Sequence, residues 1–180
     1  PGLFFFFLFE FQDPSMPRFA TFVDENGVPA WTRASMSGLL DLKRQPNGSY
    51  SVAEPTTTSG RTGFQITELD SRFDPVASHE TVGLTDTDNH DSILQPDGSK
   101  VLIAYEVNDV TGRTDSVIQE IDPDGAVAFE WDSSALVGET VTPNQQATDY
   151  AHINSVEIVN GGQDYLGSFR GLSAVLLIAR

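Results

Sequence analysis

Three short segments carry the side chains that could do chemistry. Asp149-Tyr150-Ala151-His152-Ile153-Asn154-Ser155-Val156 holds an imidazole and a carboxamide two residues apart. Ser168-Phe169-Arg170 adds a guanidinium one strand later. Asp88-Asn89-His90-Asp91-Ser92-Ile93-Leu94 supplies a second imidazole. Such groups suit a small oxyanion. Arginine presents a planar fork of donors to oxyanions. Histidine titrates near neutrality, so it can donate to an oxyanion or shuttle a proton. Asparagine adds a neutral donor. Sulfuryl and phosphoryl transfer use groups of this kind to stabilise charge on the equatorial oxygens.

The spacing of the two imidazoles follows a repeat. His90 lies about eight residues before Gly98, and His152 about nine before Gly161. Leu40 holds the comparable place before Gly48, so histidine is not part of the packing code of the repeat. On a strand, residues two apart share a face, which turns His152 and Asn154 the same way. Pairing Asn160 with Asp164 sets Arg170 opposite Asn154, whereas a slip of one residue sends it to the far face. His79, between Ser78 and Glu80, has no comparable setting and reads as an ordinary polar residue. Asp86, Asp88 and Asp91 resemble a calcium loop but lack its glycine and its distal glutamate, so no metal is assigned.

The elements that must position these groups are strands. Helical periodicity is almost absent, and short β-rich runs are separated by Gly, Asn, Asp and Pro. Two kinds of turn alternate. Gln45-Pro46-Asn47-Gly48-Ser49, Gln95-Pro96-Asp97-Gly98-Ser99 and Val159-Asn160-Gly161-Gly162 form one kind. Val23-Asp24-Glu25-Asn26-Gly27 leading to Trp31, and Ile121-Asp122-Pro123-Asp124-Gly125 leading to Trp131, form the other, with Leu69-Asp70-Ser71-Arg72-Phe73 as a degenerate copy. Asn-Gly and Asp-Gly supply the positive dihedrals of tight hairpins. The Asn47-Gly48-Ser49 sequon is therefore read as a turn. Copies recur roughly every 50 to 60 residues, as expected for a four-stranded unit repeated around an axis. The expectation is an all-β fold, a β-propeller of about three blades forming one partial domain over residues 1–180. A β-sandwich is the alternative, but it has no reason to alternate both turns.

Composition narrows the function classes. The chain has 180 residues and no cysteine, which excludes disulfides and thiolate metal sites. Its formal charge is −16 and its pI is near 4.2, which disfavours nucleic acid and anionic membrane as partners. The apolar run Leu3 to Phe9 has no basic flank or cleavage site, is too short to span a bilayer, and reads as a buried strand. No membrane span is expected. The chain starts at Pro1 and stops in an apolar strand-like run, and it reads as a piece of a longer protein, truncated at both ends.

Asp88-Asn89-His90-Asp91 with Pro96-Asp97-Gly98, and Asp149 to Val156 with Tyr165-Leu166-Gly167-Ser168-Phe169-Arg170, resemble the aryl-sulfate sulfotransferase (arylsulfotransferase) family over most of the chain. The resemblance implies a six-bladed propeller that is periplasmic or secreted. It implies transfer of a sulfuryl group from a phenolic sulfate to a phenol, by a ping-pong route through a sulfohistidine, without phosphoadenosine phosphosulfate or another cofactor. The implied small-molecule partners are that phenolic sulfate donor and phenol acceptor. By position, His90, His152, Asn154 and Arg170 match the sulfate-handling residues of the family, with His90, His152 and Arg170 catalytic and Asn154 substrate-binding. The nucleophilic histidine of the family falls in a later blade, beyond Arg180. Two other classes compete: a non-catalytic propeller scaffold, whose channel would lack converging cationic groups, and a quinoprotein-like propeller, which needs a quinone floor and usually calcium.

Overall fold

The computed structural model describes residues 4–8, 13, 15–35, 38–136 and 148–180. Among them the fold is all-β, with one 3-10 turn at Ser134–Leu136 as the sole helical element. The strands run as four antiparallel meanders. The first contains β1 (Phe4–Leu8), β2 (Arg18–Val23) and β3 (Pro29–Ser35). The second contains β4 (Leu40–Arg44), β5 (Tyr50–Pro55), β6 (Thr62–Leu69) and β7 (Pro75–His79). The third contains β8 (Asp86–Leu94), β9 (Lys100–Asn108), β10 (Arg113–Ile121) and β11 (Val127–Asp132). The fourth contains β12 (Ile153–Val159), β13 (Asp164–Phe169) and β14 (Ala174–Ala179). The turns expected to mark three units thus belong to two four-stranded and two three-stranded meanders, and no sheet among the described residues closes into a ring.

The two turn kinds have distinct places. The Gln-Pro-Asn/Asp-Gly-Ser turns join the first and second strands of the middle meanders, where Asn47 and Asp97 accept the backbone N–H of Ser49 and Ser99. The Asp-x-x-Gly turns join β2 to β3 and β10 to β11. Asp24 accepts the N–H groups of Asn26 and Val28 there, and Asp122 that of Ala126. The degenerate copy is a true turn between β6 and β7. Asp70 accepts the N–H groups of Arg72 and Asp74, and Phe73 takes the glycine position at φ 66°. That left-handed backbone costs Phe73 about 1 kcal/mol or more. Its ring offsets the cost by stacking on Phe22 of the neighbouring meander at 4.4 Å.

Successive meanders pack face against face. Ala20 and Phe22 meet Leu39, Leu42, Val52 and Leu69. Ala53 and Ile66 meet Leu102 and Ile121. Val101, Ile103 and Ile118 meet Ile153, Val156, Tyr165 and Phe169. The phenylalanine run does form a strand, which among the described residues pairs with β2, but Phe4, Phe5 and Phe6 are not buried. Phe4 is 55% exposed and Phe6 48%, because among the described residues β1 is an edge strand with no meander on its outer side; Leu3 and Phe9 lie outside the described residues. Among the described residues no helix is long and apolar enough to cross a membrane.

The second and third meanders share a two-residue parallel bridge, Thr62 to Asp86 and Gly63 to Thr87. Gly63 is required there, since a Cβ would fall 1.9 Å from Asp86 Oδ1 on a backbone at φ 76°. A buried amide reinforces the bridge from the other end. Gln45 Nε2 donates to Ser51 Oγ at 2.7 Å and to the Ser92 carbonyl at 3.2 Å, and Gln45 Oε1 accepts the Leu94 N–H at 2.9 Å. Leu94 is itself buried, so losing the amide leaves an unpaired buried donor. Gln45→Leu is expected to lower stability by about 2–4 kcal/mol, read as an earlier urea midpoint at an unchanged m-value.

Candidate functional site

The two imidazoles meet because β12 is pinned to the third meander on both sides of His152. The Asp91 carboxylate, one residue after His90, accepts the Val156 N–H at 2.8 Å through Oδ2. Its Oδ1 accepts the Ser92 N–H at 2.9 Å and pairs with Lys43 Nζ of β4. Tyr105 Oη on β9 donates to the Ile153 carbonyl at 2.6 Å, and Ser116 Oγ on β10 accepts the Ile153 N–H at 3.1 Å. Ahead of His152, Tyr150 is fully buried and donates its hydroxyl to Asp115 Oδ1 at 2.6 Å. Asp91, Tyr105, Ser116 and Tyr150 therefore fix the stretch that carries His152.

The rings of His90 and His152 lie 5.2 Å apart, edge to face at 76°. The Tyr105 ring forms a wall, 5.4 Å from His152 and 6.3 Å from His90. Each imidazole directs Nδ1 at its own carboxylate. His90 Nδ1 lies 2.8 Å from Asp88 Oδ1, which also accepts the His90 backbone N–H. His152 Nδ1 pairs with Asp149 Oδ2. Neither Nε2 makes a hydrogen bond among the described residues. The convergence expected from the repeat is present, though His152 sits just ahead of β12 with φ 53°, a region that His enters more readily than most residues.

Register is where sequence and structure part. Val159, not Asn160, pairs with Asp164, because Asn160, Gly161 and Gly162 all take positive φ and form the turn. A shift in register between Ile153 and Ser155 leaves Asn154 as the extra residue of a bulge. Arg170 consequently lies opposite His152 rather than Asn154, and its N–H donates to the His152 carbonyl at 2.8 Å. It opens the β13–β14 turn rather than lying within a strand. The face-sharing argument for His152 and Asn154 does not apply across a left-handed residue and a bulge. Asn154 Oδ1 is buried without a partner, and no hydrogen bond joins it to either imidazole.

Arg170 is exposed and makes no ion pair among the described residues. Its charge reaches His90 and Tyr105 and opposes protonation of the first. The hydrogen bond to Asp88 outweighs this and the burial of the ring, so His90 holds its proton above the usual imidazole range. Burial first, then the charges of Asp88 and Glu106, push the Asp86 carboxyl up to about 6. The acidic residues whose spacing resembles a calcium loop have separate tasks. Asp88 serves His90, Asp91 ties β4, β8 and β12, and Asp86 lies against the Gly63 backbone. No group of three His, Cys, Asp or Glu among the described residues could hold a metal ion. His79 pairs with Glu68 at 2.8 Å across β6 and β7.

Asp88, Asp149 and Tyr105 are the members that the sequence reading missed. Asp88 and Asp149 had a signal, a carboxylate two or three residues before each histidine. Tyr105 had none, since an aromatic residue on a central strand is ordinary.

A family model for arylsulfotransferase (ASST) matches residues 5–180. The chain belongs to the arylsulfotransferase family. No curated protein matches it. Family membership supports a sulfotransferase-type activity, and the paired imidazoles fall in the segments that resemble the family. In this arylsulfotransferase chain Gly171 is a structural necessity of the site. A Cβ there would stand 2.2 Å from the Tyr150 carbonyl oxygen and 2.9 Å from that of Ala151, and the Gly171 N–H donates to Ala151 at 2.8 Å. Gly171→Ala is expected to push the Tyr150–His152 backbone away from β13. The nuclear Overhauser contacts between the rings of His90 and His152 should weaken, and stability should fall by about 2–3 kcal/mol.

Proposed function

We propose that this chain supplies the sulfate-handling groups of an arylsulfotransferase β-propeller, which moves a sulfuryl group from a phenolic sulfate ester to a phenol through a histidine intermediate. One observation carries the reading: two imidazoles 5.2 Å apart, each with Nδ1 on a carboxylate, stand beside the exposed Arg170 on a chain of net charge −16. An anion-handling site is the economical reason to gather such groups on so acidic a protein. A scaffold propeller has no need of converging cationic groups. The propeller itself is supported by successive meanders, by turns recurring at equivalent places, and by contacts of β8 with both β4 and β12.

In the first half-reaction the S–O(aryl) bond breaks and an S–N bond forms on the nucleophilic histidine, which lies outside this chain. The departing aryloxide takes a proton from the imidazolium of His90 or His152. Arg170 and Asn154 donate to the sulfuryl oxygens. In the second half the acceptor phenol returns a proton to that imidazole while its oxygen attacks sulfur and the S–N bond breaks. No nucleotide donor or other cofactor takes part. The same reading places the protein in the periplasm or outside the cell.

Two measurements test this. Sulfate should bind weakly at low salt, and Arg170→Ala should weaken it about tenfold or more, since one charge-assisted contact contributes about 1.5–3 kcal/mol. Because His90 holds its proton above the ordinary range, binding should be strongest on the acid side and fall as pH rises through that raised value. Equal affinity in the variant, by titration calorimetry, counts against the site. Second, the isolated chain should release no appreciable nitrophenolate from 4-nitrophenyl sulfate with phenol as acceptor, because nucleophile and stabilising groups act as a unit. Robust turnover would make His90 or His152 the nucleophile instead.

A further inference from the structure

We propose that Asp88 and Asp149 are paired positioning residues, which lock the proton of both imidazoles on Nδ1 and so present the two Nε2 atoms to one anion. This rests on the reading of the cluster as an anion site and goes beyond it by assigning what sets the reactive nitrogen.

Three observations support it. First, the two carboxylates reach Nδ1 by different local routes. Asp88 lies two residues before His90 within β8, whereas Asp149 lies three residues before His152 in an irregular segment. Packing alone has no reason to reproduce one orientation from two backbones. Second, among the described residues neither carboxylate has a competing cationic partner. Asp88 is 7% exposed at its side chain, and its hydrogen bonds go to the ring and the backbone of His90. Asp149 pairs through Oδ2 with His152, and its Oδ1 is buried without a partner. Burying the Asp88 carboxylate and one oxygen of Asp149 beside two imidazoles is costly unless orientation or charge of the rings is the return. Third, Tyr105 cannot take over this task, since its hydroxyl is committed to the Ile153 carbonyl. Imidazole chemistry supplies the consequence, because the partner of one ring nitrogen decides which nitrogen carries the proton. An Nδ1–H held by a carboxylate leaves Nε2 as a lone pair when the ring is neutral and as an outward N–H donor when it is charged. The charged groups facing these rings are Asp88, Asp149 and Arg170, with Tyr105 as a neutral wall.

The test is ¹⁵N NMR of the imidazoles in the 180-residue chain, with sulfate titration alongside. Above their titration, both wild-type rings should be Nδ1–H tautomers, the less common form in water. The Nε2–H form at either ring overturns the proposal, and this needs no variant and no ligand, so it fails independently of the sulfotransferase reading. Asp88→Asn should lower the titration midpoint of His90, and Asp149→Asn should shift the His152 tautomer while His90, still held by Asp88, stays an Nδ1–H tautomer. Both variants should bind sulfate several-fold more weakly. If the carboxylates acted only as local negative charge, removing one would tighten sulfate binding, and that result would also overturn the proposal.

Discussion

The site depends on the Asp91 carboxylate, because backbone ladders do not reach where it acts. β12 belongs to its own three-stranded sheet and shares no ladder with β8. What joins them is side chain to backbone, with Asp91 Oδ2 on the Val156 N–H and Tyr105 and Ser116 on the two polar groups of Ile153. These bonds set how far His152 stands from His90. Asp91 also faces inward to Lys43, which it shares with Asp41, and one ammonium cannot fully compensate two carboxylates. Burial pushes the Asp41 carboxyl up to about 7 against the opposing pull of Lys43. The position of the catalytic candidates is thus tied to an electrostatic contact three strands wide.

Turn chemistry was legible because it is local. An Asp three residues before a Gly accepts the N–H groups that a tight turn exposes, whatever lies around it. Even the copy ending in Phe73 obeyed, since Asp70 does the same work and the ring finds an aromatic partner. The likeness of the His90 and His152 positions was also legible, because counting back from a turn measures height along a strand. Burial of the phenylalanine run was not, because apolar side chains show what could be covered and not whether a neighbour is there to cover it.

The rest was lost where a single residue departs from strand geometry. Counting from Asn160 to Asp164 misplaced Arg170 by one, because three consecutive positive-φ residues take Asn160 into the turn. The Asn154 bulge and the left-handed His152 then broke the alternation that had paired their side chains. Bulges and left-handed residues concentrate at functional sites, so alternation fails most where a side chain must be aimed. Tyr105 was invisible for a different reason: its part in the site is a tertiary contact from β9 to β12, with no local pattern to announce it.

The charge balance of the cluster resolves an apparent contradiction. The proposed anion site, on a protein of charge −16, holds two carboxylates, one on each ring. Taken as point charges they would repel the ligand. Taken with their imidazoles they do the reverse, since each carboxylate spends its field on a proton at Nδ1 and turns the opposite nitrogen outward. His90 shows the competition directly: Arg170 opposes its protonation, Asp88 favours it, and Asp88 prevails. Asp88 therefore offsets the repulsion that the Arg170 guanidinium exerts on the proton of His90.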